Sequence, residues 1–354
     1  MAAVLGPSYG DAALHAATAH FVVMVRSAAV GLSGPTVVES AVGERVTDEE
    51  LGGPEPAQAA GTVHLVVDNE ETAIRFLAVF LSYLPLNASQ PAPLSPSVPP
   101  ARSTSDLNKL VPTHPRQSYD MFDVLEGVAD EGSLLPWQPE SGRSVITALG
   151  RIEGAPLGIV ASQPQHGAGA LDPRALAKAT AFVDLCDTFN LPLLFLQDVP
   201  GLLIGRQAER DGIVRAYERL VARLARARVP RITVIVRKAY GGGHYALGGR
   251  PTKPDLLLAW PSAEMGFMAP ETGVRTVNRR RLEQAEREGG EEARRKLEMQ
   301  LTRAWQDESE PWEAAAHLYV DDIIEPAETR RVVAAGIRFA WGSRPRVARP
   351  GVRR

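Results

Sequence analysis

The sequence predicts an α/β fold built on parallel strands, and the evidence is clearest after residue 119. Short apolar or β-branched segments alternate there with helical segments across glycine-containing turns, a pattern typical of parallel strands joined by crossover helices. Two neighbouring strands are instead joined by a Glu153-Gly154 turn, which predicts a hairpin. The predicted strands span 144–152, 156–161, 192–197, 231–236 and 256–259, and the predicted helices span 173–190 and 211–227, with a further helix starting at 245.

Three parts of different composition divide the chain. Proline and serine crowd residues 90–115, which favours an extended linker that holds neither a helix nor a strand ladder. The part before it predicts strands at 1–5 and 21–25 and helices at 11–18 and 70–84. We therefore expect a first domain at 1–91, a Pro/Ser-rich linker at 92–118 and a second domain at 119–354.

Two charged segments are predicted to face solvent. Residues 283–305 are strongly charged and are interrupted by Gly289-Gly290, which predicts a pair of surface helices. The basic end of the chain, 344–354, is short and broken by proline, so we expect a solvated end and not a binding arm.

Bulk properties exclude several classes of protein. The 354 residues are 44% hydrophobic and 23% charged, as in an average soluble globular protein. A net charge of −3 gives no basic surface for nucleic acid. No apolar stretch is long enough for a membrane span, no signal peptide fits the start, and the single cysteine, Cys186, is predicted to pack in the core. These features predict a cytoplasmic protein without internal disulfides.

The sharpest local feature is the segment from Arg237 to Gly248, in which a β-branched strand runs into Gly241-Gly242-Gly243 and then a helix. Glycine permits a tight turn and leaves backbone N–H groups unobstructed. Such N–H groups, with the positive end of the helix, can bind an anion or a developing oxyanion. The alternative is simple close packing of strand against helix.

A second glycine turn, Asp198-Val199-Pro200-Gly201, ends the preceding strand. Two turns at the carboxyl ends of neighbouring strands face one crevice, where open α/β sheets bind ligands. His166 lies in a loop and is a candidate to line this site, although a solvated loop histidine is more common. No metal-ligand spacing and no phosphate-binding loop is present. Gly6-Pro7-Ser8-Tyr9-Gly10 matches a hydrolase nucleophile elbow, but too few residues precede it.

Many short segments, in order, resemble the carboxyltransferase β subunits of biotin-dependent acyl-CoA carboxylases of the propionyl-CoA and acetyl-CoA type. The resemblance covers nearly the whole chain and is highly specific. It includes Val4-Leu5-Gly6-Pro7, Ser33-Gly34-Pro35, Leu81-Ser82-Tyr83-Leu84-Pro85, Tyr119-Asp120-Met121, Gly158-Ile159-Val160-Ala161, Asp198-Val199-Pro200-Gly201, Arg237-Lys238-Ala239-Tyr240-Gly241-Gly242, Leu258-Ala259-Trp260-Pro261 and Tyr319-Val320-Asp321-Asp322.

The resemblance implies a crotonase-like ββα superhelix, with one partial N-domain and one complete C-domain. It implies transfer of a carboxyl group from carboxybiotin to the α-carbon of an acyl-CoA through an enolate, with backbone oxyanion holes. One hole would polarise the acyl-CoA thioester, and another would hold the ureido carbonyl of carboxybiotin. Partners would be a biotin carboxylase and biotin carrier subunit, and either further copies of the chain (a hexamer in the family) or a complementary N-terminal chain. Sites of the family lie between the N-domain of one subunit and the C-domain of another.

Residue roles follow from the same resemblance. Gly242 and Gly243 match the C-domain oxyanion hole, and Gly10 with Asp11 match the Gly-Gly of the N-domain hole. The predicted substrate-binding residues are Gly201, His244, Tyr245, Tyr217 and His166.

The chain also departs from the family pattern. It lacks a substantial N-terminal part of the first domain. Asp11 replaces a glycine, His244-Tyr245 replace the usual Tyr-Asp, and Tyr217 replaces a helix glycine on the biotin side. Two alternatives therefore stay open: a non-catalytic homologous subunit, and a biotin-independent acyl-thioester decarboxylase.

Overall fold

The structure, a computed structural model, describes residues 1–87, 90–114 and 117–343. The predicted solvated tail at 344–354 and Pro115 of the predicted linker lie outside the described residues. No helix within the described ranges is long and apolar enough to cross a membrane.

The first region is a small parallel sheet surrounded by short helices. Strands β1, β3 and β5 pair in parallel in the order β1-β3-β5, and β2 pairs with β4. The strands are β1 (Ala2–Val4), β2 (Ser8–Tyr9), β3 (Val22–Val25), β4 (Val30–Gly31) and β5 (Leu65–Val67), and the helices are α1 (Asp11–Ala17), α2 (Pro35–Val42), α3 (Asp48–Gly52), α4 (Pro54–Ala59) and α5 (Glu70–Ser82). The four elements predicted in this region are confirmed, with ends displaced by at most two residues.

The second region is a larger mixed sheet in the order β13-β11-β10-β9-β8-β7-β6, with β12 paired to the far half of β10. All its pairs are parallel except β6-β7 and β7-β8. The strands are β6 (Leu135–Pro136), β7 (Val145–Ile152), β8 (Ala155–Ser162), β9 (Leu193–Val199), β10 (Arg231–Tyr240), β11 (Leu256–Ala259), β12 (Glu264–Gly266) and β13 (Asp322–Ile323). The predicted parallel sheet and the predicted hairpin are both confirmed.

Helices pack around this sheet. They are α6 (Leu107–Leu110), α7 (Met121–Val128), α8 (Pro173–Thr188), α9 (Arg206–Arg210), α10 (Ile213–Arg226), α11 (Gly241–Ala246), α12 (Pro270–Val277), α13 (Arg279–Glu308), α14 (Pro311–Ala316) and α15 (Thr329–Ser343). Helix α8 shows why such helices start where they do: the Asp172 carboxylate accepts the N–H of Ala175 at 2.7 Å, and Pro173 occupies the first helical position.

One helix prediction is confirmed and another needs correction. The helix predicted at 211–227 is α10, which starts two residues later because Gly212 before it adopts a left-handed conformation (φ 80°). The helix predicted to start at 245 starts at Gly241, so the glycines form its first turn. The charged pair of helices is confirmed, since α13 changes direction at Gly290, whose φ is 73°.

One continuous apolar core joins the two regions. Phe21 stacks on Phe80 with ring centroids 4.6 Å apart, and Trp137 packs against Phe182 at 5.5 Å, all within the same cluster. The indole N–H of Trp137 also donates to the carbonyl of His20 at 3.0 Å. Residues 1–87 therefore complete their core against the large sheet, and the domain boundary drawn from the sequence stays a prediction.

Residues 92–114 of the predicted linker pack against the second region. A turn of 3-10 helix at Thr104–Asp106 runs into α6, so the expectation of a helix-free linker is wrong there. Leu107 is completely buried in the apolar cluster under the sheet. Two arginine side chains hold the linker, because Arg151 donates to the carbonyl of Pro93 and Arg330 donates to that of Val98.

Candidate functional site

The candidate site lies at the carboxyl ends of β9 and β10. These strands are parallel neighbours, so both end at the same edge of the sheet. A Cβ built on Gly243 would lie 2.6 Å from Cγ2 of Val199 and 2.9 Å from Cα of Gly201. The two glycine turns are therefore in direct contact, as the strand order predicted.

The start of α11 places three backbone N–H groups at this edge. Gly241, Gly242 and Gly243 occupy its first turn, where no carbonyl of the same helix can accept their N–H groups. No side chain caps the helix, and no carbonyl elsewhere in the described residues accepts from Gly242 or Gly243. Gly241 must be glycine, since its φ is +49° and a Cβ would lie 2.7 Å from the Phe267 carbonyl oxygen. The arrangement can bind a carbonyl oxygen or an oxyanion.

An aromatic and aliphatic wall borders Gly242. A Cβ on Gly242 would lie 3.1 Å from Cδ1 of Leu202 and 3.5 Å from Cζ of Tyr217. Burial raises the pKa of the half-buried Tyr217, and the neighbouring phenol of Tyr245 raises it further, so the hydroxyl stays protonated at neutral pH. Tyr245 itself is 43% exposed. The structure thus brings together Gly201, Gly242, Gly243, Tyr217 and Tyr245.

His244 is placed differently from the sequence expectation of a substrate contact. Its ring is buried, with Nδ1 2.8 Å from Oε1 of Gln197. The Gln197 amide nitrogen already donates to the carbonyls of His244 and Leu247, so Oε1 accepts and Nδ1 carries the proton. Burial lowers the pKa of His244 to about 4, with the charge of Arg250 acting in the same direction. The imidazole is neutral and braces α11, and no observed contact gives it access to a substrate.

The predicted N-domain hole needs a correction at Gly10. The Gly10 N–H donates to the carbonyl of Leu32 at 3.0 Å, because β2 pairs with β4 and brings the two turns together. That amide is therefore used within the fold and cannot also hold an oxyanion. Asp11 is exposed in the first turn of α1, where its own N–H has no carbonyl within the helix.

His166 lies at a separate cavity of about 260 Å³ at the start of β7 and the end of β8. Polar groups there include Asp120, Gln163 and Arg143, among apolar walls such as Phe122. Gln163 is buried, and it donates to Asp120 while it accepts the N–H of Met121. The structure places His166 at this cavity, whose lining residues do not include Gly242 or Gly243.

A buried ion pair beneath the site was missed in the sequence. Asp198, the penultimate residue of β9, is fully buried, and its carboxylate lies 2.9 Å from the guanidinium of Arg237 in β10. Arg237 also donates to the carbonyls of Pro112, His114 and Gln117. Charged residues directly after two predicted apolar strands were the available signal, but only the strand pairing shows that they meet.

Neighbouring groups complete this buried network. The Lys238 N–H donates to Asp198 at 3.2 Å, and burial lowers the pKa of the Lys238 ammonium although Asp198 opposes this shift. The ring of Tyr119 lies 5.1 Å from the Arg237 guanidinium, and burial raises the pKa of its phenol. The network fixes the end of β10 immediately before the three glycines. No group of three or more His, Cys, Asp or Glu within the described part of the chain could hold a metal ion.

Comparison with known proteins places this geometry in a family. The family model for the carboxyl transferase domain matches residues 1–350. The chain is 38% identical over 348 residues to the propionyl-CoA carboxylase carboxyltransferase subunit of Haloferax mediterranei, covering 97% of this chain and 66% of the relative. It is 33% identical to the methylmalonyl-CoA decarboxylase subunit alpha of Propionigenium modestum, covering 98% and 67%.

A solved structure agrees. The transcarboxylase 12S crystal structure, a hexamer assembly with methylmalonyl-CoA and methylmalonic acid bound, superposes with a TM-score of 0.90 at 34% identity and covers 99% of this chain and 66% of that one. The fold is therefore the crotonase-like α/β fold of that enzyme. The chain spans about two thirds of the length of the relatives it matches, from 63% to 66% for the first of them. It belongs to the carboxyl transferase domain family, that of the carboxyltransferase subunits of biotin-dependent acyl-CoA carboxylases.

Proposed function

We propose that this chain transfers a carboxyl group from carboxybiotin, carried by a partner subunit, to the α-carbon of a short acyl-CoA such as propionyl-CoA. Several relatives are named for reactions of this class, among them a propionyl-CoA carboxylase carboxyltransferase subunit and a methylmalonyl-CoA carboxyltransferase 12S subunit. The observation that carries the proposal for this chain is the pair of free N–H groups on Gly242 and Gly243 at the end of β10.

The amides stabilise the negative charge that forms during the reaction. Loss of an α-proton from an acyl thioester places negative charge on the thioester oxygen. Gly242 and Gly243 N–H groups, at the positive end of α11, stabilise that charge as it forms, and one such donor contributes about 10²–10³-fold to turnover. Carboxybiotin, when bound, would supply the CO2 that the resulting carbanion takes up.

No side chain at this edge acts as the base in the proposal. His244 follows Gly243 directly, but its pKa is lowered to about 4 by burial and both its ring nitrogens face protein partners. The family resemblance implies that the ureido nitrogen of bound biotin, freed by release of CO2, would accept the proton. Catalysis by backbone amides is consistent with a site that begins with three consecutive glycines.

The remaining roles are proposals of the same kind. Gly201 shapes the turn against Gly243, and Tyr217 and Tyr245 line the approach to Gly242. Asp11 offers one N–H for a second hole, without Gly10. We propose a biotin carboxylase and carrier subunit as partners, assembly as a homo-oligomer (the transcarboxylase 12S relative is a hexamer) and a cytoplasmic location.

A second candidate function is decarboxylation of a malonyl-type thioester. The 33% identity with a methylmalonyl-CoA decarboxylase subunit supports it. The same amides would serve, since loss of CO2 from such a substrate also leaves negative charge on the thioester oxygen.

One assay separates these functions. The chain is purified by an affinity tag from its own host, with any subunits that accompany it, and release of CO2 from methylmalonyl-CoA is measured with and without free biotin. We expect release that depends on biotin, the reverse of carboxyl transfer. Release that is independent of biotin would favour the decarboxylase, and no release in either case would indicate a non-catalytic subunit and contradict the proposal.

A further inference from the structure

We infer that Gln197, acting through His244, is a positioning residue for the backbone amides of Gly242 and Gly243. The inference rests on the proposed function, because it takes these amides as the donors to an oxygen that becomes negatively charged. It goes further, since it makes turnover depend on a buried side chain of β9 that lies outside the glycine turns. It concerns the placing of the amides and holds for whichever carbonyl oxygen of the reaction they bind.

Helix α11 cannot hold its own first turn in place. It has six residues, and helices shorter than about 12–15 residues are only marginally stable in water. Its first three residues are glycines, each about 1 kcal/mol less favourable than alanine in a helix. Glycines also have no side chains that could pack against the sheet. The direction of the Gly242 and Gly243 N–H groups therefore depends on the contacts of the residues that follow them.

Gln197 supplies three such contacts. It is fully buried in β9, the parallel neighbour of β10. Its amide nitrogen donates to the carbonyl of His244 at 3.2 Å and to that of Leu247 at 2.6 Å, and its Oε1 lies 2.8 Å from Nδ1 of His244. Carbonyls at the end of a helix have no N–H donor within that helix. One side chain thus uses both its donor and its acceptor atoms on the last residues of α11.

His244 passes this constraint to Gly243. It is the next residue of the chain, and its ring is held at both nitrogens, because Nδ1 donates to Gln197 and Nε2 accepts the Arg250 N–H at 3.4 Å. The ring also packs on Gly249, where an added Cβ would lie 2.5 Å from Nε2. The peptide unit that joins Gly243 to His244 is fixed as a result, so a displacement of His244 would move the Gly243 N–H.

Packing alone does not explain a glutamine at this place in β9. The four residues before it, Leu193–Leu196, are apolar and buried. A buried glutamine contributes little net stability, because its hydrogen bonds replace bonds to water. What the side chain adds is direction, since three bonds of defined geometry hold the end of α11 against β9.

The test measures kcat and KM for CO2 release from methylmalonyl-CoA with free biotin in two variants. Gln197→Met keeps the length of the side chain but removes all three bonds, and His244→Phe keeps a ring but removes Nδ1. We expect each to lower kcat by about 10–100-fold, because a misplacement of about 1 Å can cost 10²-fold. The KM for methylmalonyl-CoA should change by less than about 3-fold, since the amides act mainly on the charge that forms during the reaction.

A double variant and a control make the result specific. Gln197→Met combined with His244→Phe should lose no more kcat than the more affected single variant, because the two residues act as one unit. Thr329→Val removes another buried bond, in which the Thr329 hydroxyl accepts the indole N–H of Trp260 at 2.9 Å. It should lower the melting temperature by an amount comparable with Gln197→Met and leave kcat nearly unchanged.

The outcomes separate this inference from the proposed function. If wild type is active and the single variants that fold keep kcat within about 3-fold of wild type, the positioning role is wrong while the proposed function stands. Additive losses in the double variant, or an equal loss in Thr329→Val, would contradict it as well. If Gln197→Met does not fold, His244→Phe decides by the same criterion. If wild type releases no CO2, both the proposed function and this inference fail.

Discussion

Gly243→Ala is expected to lower turnover by about 100-fold or more. The added Cβ would lie 2.9 Å from Cα of Gly201 and 2.6 Å from Cγ2 of Val199, so the first turn of α11 must shift. Its N–H groups would then miss the oxygen on which charge builds. The backbone of Gly201 cannot move aside as a flexible side chain does, so α11 itself has to shift. The measurement is kcat for CO2 release from methylmalonyl-CoA with free biotin.

A glycine crowded to a similar degree on the neighbouring strand β8, beside the opposite end of β9, separates catalysis from stability. A Cβ on Gly158 would lie 2.3 Å from Sγ of Cys186, and Gly158 pairs with Leu193 at the start of β9. Gly158→Ala should lower the free energy of unfolding by about 1–3 kcal/mol and leave kcat of the folded protein nearly unchanged. Equal turnover in Gly243→Ala and wild type would show that the amides do not act in the reaction.

Arg237→Met is expected to lower the free energy of unfolding by about 3–5 kcal/mol, because it leaves the carboxylate of Asp198 buried without its main partner. Asp198 is fully buried, and Lys238 is the other cation nearby, with Nζ 3.9 Å from its carboxylate. The change also removes the donor to the Pro112, His114 and Gln117 carbonyls. Urea unfolding followed by circular dichroism provides the measurement.

Arg26→Met is the matched control for this change. Arg26 pairs with Asp68 at 2.9 Å, but their side chains are 68% and 79% exposed. Solvent screens such a pair, so the expected loss is within about 1 kcal/mol. Similar losses for Arg237→Met and Arg26→Met would contradict the structural role given to the buried network.

The parts of this fold that were predictable from sequence depend on local pattern. The hairpin at Glu153-Gly154 is one such part. Two predicted strands separated by a two-residue turn with a glycine have few ways to pair other than as a hairpin. The contact between the Gly201 and Gly243 turns is another, since consecutive strands of a parallel α/β sheet usually lie side by side.

The errors come from contacts between distant segments. When α1 is considered alone, the N–H of Gly10 before its first turn has no acceptor. Only the pairing of β2 with β4 brings the Leu32 carbonyl to this N–H. His244 follows the glycines, which suggested a contact with substrate. Its ring is instead hydrogen-bonded to Gln197 on the neighbouring strand. The partner of Arg237 is equally distant in sequence. Hydropathy patterns carry no information about which polar groups meet after folding.

The central claim is that the Gly242 and Gly243 N–H groups hold the oxygen of an acyl thioester. A crystal structure of this chain with a non-hydrolysable acyl-CoA analogue measures this directly. We expect the oxygen that replaces the thioester carbonyl oxygen to lie about 2.7–3.1 Å from both amide nitrogens. An analogue bound with that oxygen elsewhere, while both amides donate to protein carbonyls, would contradict the account.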